Sequence, residues 1–265
     1  MNFLRSMTLS AAMLVGFQAS AQDNLINALA KNQSAQSKDA FNFSTVINLT
    51  NTPIKNQGSS GTCWSYSTNS FLESEMTRMG KKAVDIWEIY TARCAYIEKG
   101  KNYVRMHGAV TLGDGGATHD VINMYAKYGA LPYEVYTGLN YGTPGNKFAE
   151  MGAIQKGVLD AVVSNPNGKL TPNWLDAYTA VIDSYLGRVP EKFDYKGKSY
   201  TPQSFAKEVV GINPADYVEI SSFIDQPAYG KFVMPVPDNW SFDQVYNVKM
   251  TDLSAIVDNA LKNGY

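Results

Sequence analysis

Cysteine and histidine are both scarce, at two each in 265 residues: Cys63 and Cys94, His107 and His119. Residues so few and so scattered give no ligand spacing, so no metal and no cofactor is implied. A disulfide framework is excluded as well, although a single Cys63–Cys94 bridge stays open in an oxidising compartment. There is no run of lysine or arginine. With 23 basic against 24 acidic side chains the net charge is −1, which leaves no electrostatic footprint for nucleic acid. Long apolar runs are missing too. Met7 to Phe17 is mostly apolar but falls short of the roughly 20 residues a spanning helix needs, so no membrane partner is expected.

What that N-terminal stretch resembles is an address. Arg5 supplies a short positive region, and Ala19-Ser20-Ala21 is an A-x-A cleavage pattern, so residues 1–21 read as an export signal. A buried N-terminal helix is the alternative. The mature chain would begin at Gln22, exported to the periplasm or secreted, with a polar leader over 22–43. Apolar residues make up 45% of the chain, enough for one large domain or two small ones.

The pattern beyond the leader predicts mostly helix. Residues 44–50 alternate as a short strand, and Pro53 with the Gly-Ser-Ser-Gly run makes a turn. From Cys63, apolar residues recur at helical spacing to Met79, with Gly80 as a C-terminal cap. Residues 86–98 and 121–128 read as further helices, the latter stopped by Gly129. Residues 148–163 and 175–186 look like an antiparallel helix pair. Residues 193–200 form a hairpin around Lys196-Gly197. Thr201-Pro202 opens a helix that Gly211 ends. Residues 217–223 and 231–236 are strand-like, and 251–262 carry one more apolar helical face.

The chemistry concentrates in Gln57-Gly58-Ser59-Ser60-Gly61-Thr62-Cys63-Trp64. A thiolate rather than a thiol is the nucleophile, and a helix N-terminus aims unpaired N–H groups at the sulfur, which favours the anion. The Gln57 side-chain amide and the Cys63 backbone N–H would donate to the oxygen that becomes negative in a tetrahedral intermediate. Cys94 lies within an apolar helical stretch, where a buried thiol acts as a small apolar side chain.

Gln57-Gly58-x-x-Gly61-x-Cys63-Trp64 resembles the active-site signature of papain-like cysteine peptidases. Ser60 stands where the usual signature has a structural cysteine, which is similar to the bleomycin hydrolase or aminopeptidase C branch. Asp85-Ile-Trp-Glu88, Asn102-Tyr-Val-Arg105 and Gly113-Asp-Gly-Gly116 before His119-Asp120 resemble that branch as well. The resemblance implies an α+β, papain-like fold: a helical domain with the nucleophile over 44–140, a large mainly helical insertion over 141–250, and at 251–265 only the start of a second, β-rich domain. It implies peptide substrates, Gly115 and Gly116 lining the substrate cleft, and the ring-like homohexamers of that branch. A plain turn before the next helix is the other reading of the two glycines.

A papain-like enzyme takes its base from a histidine far downstream of the cysteine. Here nothing after His119 qualifies. His119 reads as a hydrogen-bonded structural residue and His107 as a solvated loop residue. The resemblance therefore implies a chain that stops before its base, inactive alone. Two rivals stand beside this: a pseudopeptidase that binds peptides without cleaving them, and a redox-sensing thiol.

Overall fold

The computed structural model describes residues 43–265; the expected export signal and nearly all of the polar leader lie outside the described residues. Residues 47–265 form one compact unit. Its order is α1 (Cys63–Arg78), α2 (Glu88–Arg105), α3 (Thr118–Tyr128), α4 (Ala149–Val163), α5 (Trp174–Leu186), β1 (Phe193–Tyr195), β2 (Lys198–Tyr200), α6 (Pro202–Phe205), β3 (Ile220–Ser221), β4 (Lys231–Val233), β5 (Gln244–Asn247) and α7 (Met250–Lys262). No described helix is long and apolar enough to cross a membrane.

The helix ends follow local chemistry. Gly80, at φ 73°, leaves α1 through two backward bonds, from Gly80 N–H to Thr77 O and from Lys81 N–H to Met76 O, both 2.9 Å. Such a left-handed exit suits glycine, which has no Cβ to clash. Helix α2 starts later and runs further than the pattern predicts. Residues 85–87 are instead held extended, with Ile86 bridging Pro132 and Trp87 N–H bonded to Leu131 O at 2.8 Å. At its far end Tyr103 and Val104 stay buried, so burial carries the helix on to Arg105.

Helix α2 is the hub. Helices α4 and α5 pack on each other and on α2, while α1 and α3 pack on each other and on α2 as well. Tyr178 of α5 reaches into this core and donates its hydroxyl to Tyr96 O at 2.9 Å. The 193–200 hairpin forms as expected, with Lys196 and Gly197 both at positive φ (53° and 78°). Two left-handed residues at the tip match the twist of paired strands. Thr201 caps α6, which runs into a π-helical turn over Ala206–Val210 and ends at Gly211.

The expected strands differ most. Residues 44–50 form no strand, because they find no partner to pair with among the described residues. The 217–223 and 231–236 stretches shrink to β3 and β4, joined through β5 in the order β3-β5-β4. Strand β5 is a short alternation of four residues that burial of Val245 and Asn247 turns into the centre of the sheet. Helix α7 has its apolar face, yet Ile256, Val257 and Leu261 remain exposed.

Candidate active site

Cys63 opens α1 and is exposed, while Thr62 before it and Trp64 after it are buried. The first intrahelical bonds run from Ser65 and Tyr66 N–H to Thr62 O, at 2.9 and 3.1 Å. Among the described residues, the backbone N–H groups of Cys63 and Trp64 have no acceptor, and no group hydrogen-bonds to the Cys63 sulfur. Helix N-termini always leave such donors over. Here they surround an exposed thiol, with no acidic residue in the first turn to oppose an anion. Cys94 is also free but wholly buried, and burial pushes its thiol up to about 12. No Cys63–Cys94 bridge exists.

The loop before Cys63 is held from three sides. Gly58 sits at φ 63° against Asn146, where a Cβ would fall 2.8 Å from Asn146 O. Ser59 N–H donates to Asn146 O at 2.8 Å, and Phe148 N–H donates to Ser59 O at 3.2 Å. The Asn146 side-chain amide donates to Gln57 O at 3.1 Å. Gln57 in turn donates one side-chain N–H to Ser60 O at 2.6 Å, leaving its second N–H for a ligand. On the other flank Asp114 Oδ2 accepts from Gly61 N–H at 3.1 Å, and Asp114 O accepts from the Trp64 indole at 2.8 Å.

Asp114 belongs to the Gly113–Gly116 segment, which sets Gly116 against Trp64 of the nucleophile turn, while Gly115 faces the Asp238 side chain. A Cβ on Gly116 would lie 2.8 Å from the Trp64 ring, which explains why this position is bare. Neither the N–H nor the C=O of Gly116 has a protein partner among the described residues. Beneath the segment lies Lys99, only 2% exposed, donating to Gly113 O at 2.8 Å and also to Gly115 O. Burial pushes its ammonium down to about 8, against the opposing pull of Asp120, Asp114 and Asp238.

Below the Gln57 arm, Lys55 Nζ meets Glu73, Asp85 and Glu88 at 2.8, 2.5 and 2.7 Å. Burial opposes the Lys55 charge, but the Glu88 charge and the three hydrogen bonds outweigh it and hold the ammonium above its usual range. Burial raises Glu88 to about 7 even with Lys55 beside it.

His119 is not paired with Cys63. Its Nδ1 lies 2.5 Å from Glu219 Oε2, and Nε2 is 3.4 Å from the Ser241 hydroxyl. Burial opposes its charge, but the Glu219 hydrogen bond and the Asp120, Glu219 and Asp243 carboxylates raise its pKa overall. This is the hydrogen-bonded structural histidine that the sequence predicts. His107 sits at φ 52° just past α2, where it closes a turn.

Sequence reasoning missed Asn146, Lys55 and Lys99. Asn146 carries no local signal, since it meets Gln57 from 89 residues away. Lys99 does carry one: it falls in the stripe Ala92, Ala95, Tyr96, Lys99, Tyr103, where helical period places an apolar residue.

Residues 38–148 match the family described as papain family cysteine protease. Cysteine proteinase 1, mitochondrial, of Saccharomyces cerevisiae is 26% identical over 141 residues, spanning 47% of this chain and 29% of that protein. Aminopeptidase C of Streptococcus thermophilus is 24% identical over 251 residues, 80% of this chain and 56% of the relative. The crystal structure of PepW from Lactobacillus rhamnosis HN001 superposes with a TM-score of 0.67 at 19% identity, over 97% of this chain and 68% of that one. The chain thus spans from under a third to just over half the length of these curated relatives. With the Cys63 turn built as described, residues 38–148 are similar to papain-family cysteine proteases, and the chain has a mixed α and β fold shared with PepW.

Proposed function

We propose that this chain supplies the nucleophile wall of a cysteine peptidase of the aminopeptidase C type, acting on peptides through a thioester at Cys63. One observation carries the reading: an exposed thiol heads a helix whose first two N–H groups are unpaired, behind a loop clamped by Asn146 and Asp114. In this reading the Cys63 sulfur attacks the scissile carbonyl, and its oxygen turns toward the Cys63 N–H and the free Gln57 N–H. The C–N bond breaks, the amine leaves with the proton that the thiol gave up on ionising, and water then hydrolyses the thioester to a carboxylate and the free thiol. Preorganised donors are where such sites gain most, about 2.7–4 kcal/mol for each. Gly116 offers its N–H and C=O to an extended peptide as an added strand would.

The 265 residues alone would not turn over substrate, since His119 is engaged with Glu219 and neither histidine touches Cys63. Residues 1–21 would direct export. By resemblance to the same branch the protein would assemble as a homohexamer. The test is hydrolysis of unblocked peptides by the native protein, which Cys63→Ala abolishes. Hydrolysis that survives Cys63→Ala overturns the reading. N-terminal sequencing of the mature protein, starting at Gln22, checks export, and light scattering checks assembly.

The unpaired thiol also supports a second reading, a peptide-binding pseudopeptidase. It predicts peptide binding by the native protein with no turnover.

A further inference from the structure

A lysine ammonium is expensive to bury, and among the described residues no carboxylate lies within ion-pair distance of Lys99. What surrounds Nζ is the Gly113 and Gly115 carbonyls and three aromatic faces. The Trp64, Tyr96 and Trp240 ring centroids lie 5.7, 5.6 and 6.0 Å away. The charged groups facing it from each neighbouring element are Asp114 on the glycine segment, Asp120 on α3 and Asp238 beyond β4. Such an arrangement serves the segment more than the lysine. Two carbonyls two residues apart are pulled inward, and the Asp114 carbonyl between them turns to the Trp64 indole instead. The segment, which bends at Gly113 and Asp114, is thereby pinned through three successive carbonyls, with the Gly116 N–H and C=O left over at its end.

We propose that Lys99 is a positioning residue of the substrate site: its ammonium, held by the Gly113 and Gly115 carbonyls beneath the cleft, sets the register in which Gly116 meets an extended peptide beside Cys63. The proposal rests on the reading of Gly115-Gly116 as a peptide-binding wall. Lys99 touches neither the peptide nor the sulfur. Because the bonds it makes are charge-assisted, they weaken when the ammonium loses its proton.

The test compares two electrophiles on Cys63 in the full 265-residue chain. Iodoacetamide needs only the thiolate, whereas a peptidyl chloromethyl ketone also needs the cleft. The ratio of their second-order rates cancels the thiolate fraction and isolates the cleft. We expect a large ratio in the wild type and a fall of about tenfold in Lys99→Met, with the iodoacetamide rate unchanged. We also expect the wild-type ratio to decline as pH rises through about 8, where Lys99 deprotonates, and the variant's ratio to stay flat. A merely structural lysine would not give that pH profile. If the wild-type ratio is near one, the peptide wall itself fails and this proposal with it. A large wild-type ratio that Lys99→Met preserves overturns the role of Lys99 alone. Should Lys99→Met fail to fold by circular dichroism, the wild-type profile decides, and a flat ratio from pH 7 to 9.5 refutes the proposal.

Discussion

Replacing Lys55 by methionine should destabilise the chain by an amount that depends on pH. The Glu73 and Glu88 side chains are 0% and 1% exposed, and the Lys55 ammonium is the cation they share with Asp85. Methionine keeps the stem and removes the charge, leaving two carboxylates in the interior. Glu73 retains one donor, the Ile86 N–H at 2.8 Å. Removing one partner from a buried ion pair costs about 3–5 kcal/mol, because the other charge stays behind unpaired. Glu88 has an escape, however. It already titrates near 7 with Lys55 in place, so without Lys55 its folded-state value rises further and it can take up a proton. A proton held more tightly by the folded variant favours that variant at low pH. The penalty should therefore reach about 3–5 kcal/mol at pH 8.5 and be about 1–2 kcal/mol smaller at pH 5.5. Urea unfolding followed by circular dichroism at the two pH values measures both numbers. A loss below 1 kcal/mol at pH 8.5, or equal losses at both, would show that water already neutralises the cluster. The double variant Lys55→Met/Glu88→Gln should recover part of the loss at high pH.

Three further outcomes follow from the same structure. Gly100→Ala would put a Cβ 2.8 Å from the Tyr178 ring carbon Cζ, at the contact of α2 with α5, and should cost about 1–3 kcal/mol by overpacking in thermal unfolding. Burial opposes the Glu98 charge, but bonds from Lys101, Lys127 and Tyr128 bring its carboxyl down to about 2. Its contribution, discounted for exposed partners to about 1–2 kcal/mol, is present above pH 4.5 and lost as pH falls through about 2; Glu98→Gln should flatten that part of the acid profile. The His119 pKa is raised, so the Glu219 contact stabilises fully below pH 6.5 and fades as pH climbs through the raised value. An NMR titration of the imidazole should show Glu219→Gln lowering that midpoint, and an unmoved midpoint would remove Glu219 as the cause.

Sequence alone determined the parts whose physics is local. Cys63 at a helix head, the Gly80 exit, the Lys196-Gly197 hairpin and the Thr201 cap each depend on neighbours within a few residues. So does the Gln57–Trp64 turn, whose glycines and order of side chains point to a nucleophile before any contact is known. The strands were less legible. A four-residue alternation such as 244–247 becomes a central strand only because β3 and β4 arrive on either side, and 44–50 stays unpaired because no strand among the described residues does.

Tertiary structure alone decided what holds the site. Asn146 clamps the Gln57 loop from 89 residues away, and Asp114 ties Gly61 and Trp64 from 53 and 50 away, distances across which no periodicity carries information. It also decided the fate of charge. Lys55 looks like an ordinary surface lysine and only the helical stripe marks Lys99, yet one is enclosed by three carboxylates and the other by backbone carbonyls and aromatic rings. The sequence shows which side chains can ionise; only packing determines the dielectric and the partners that set what each ionised group does.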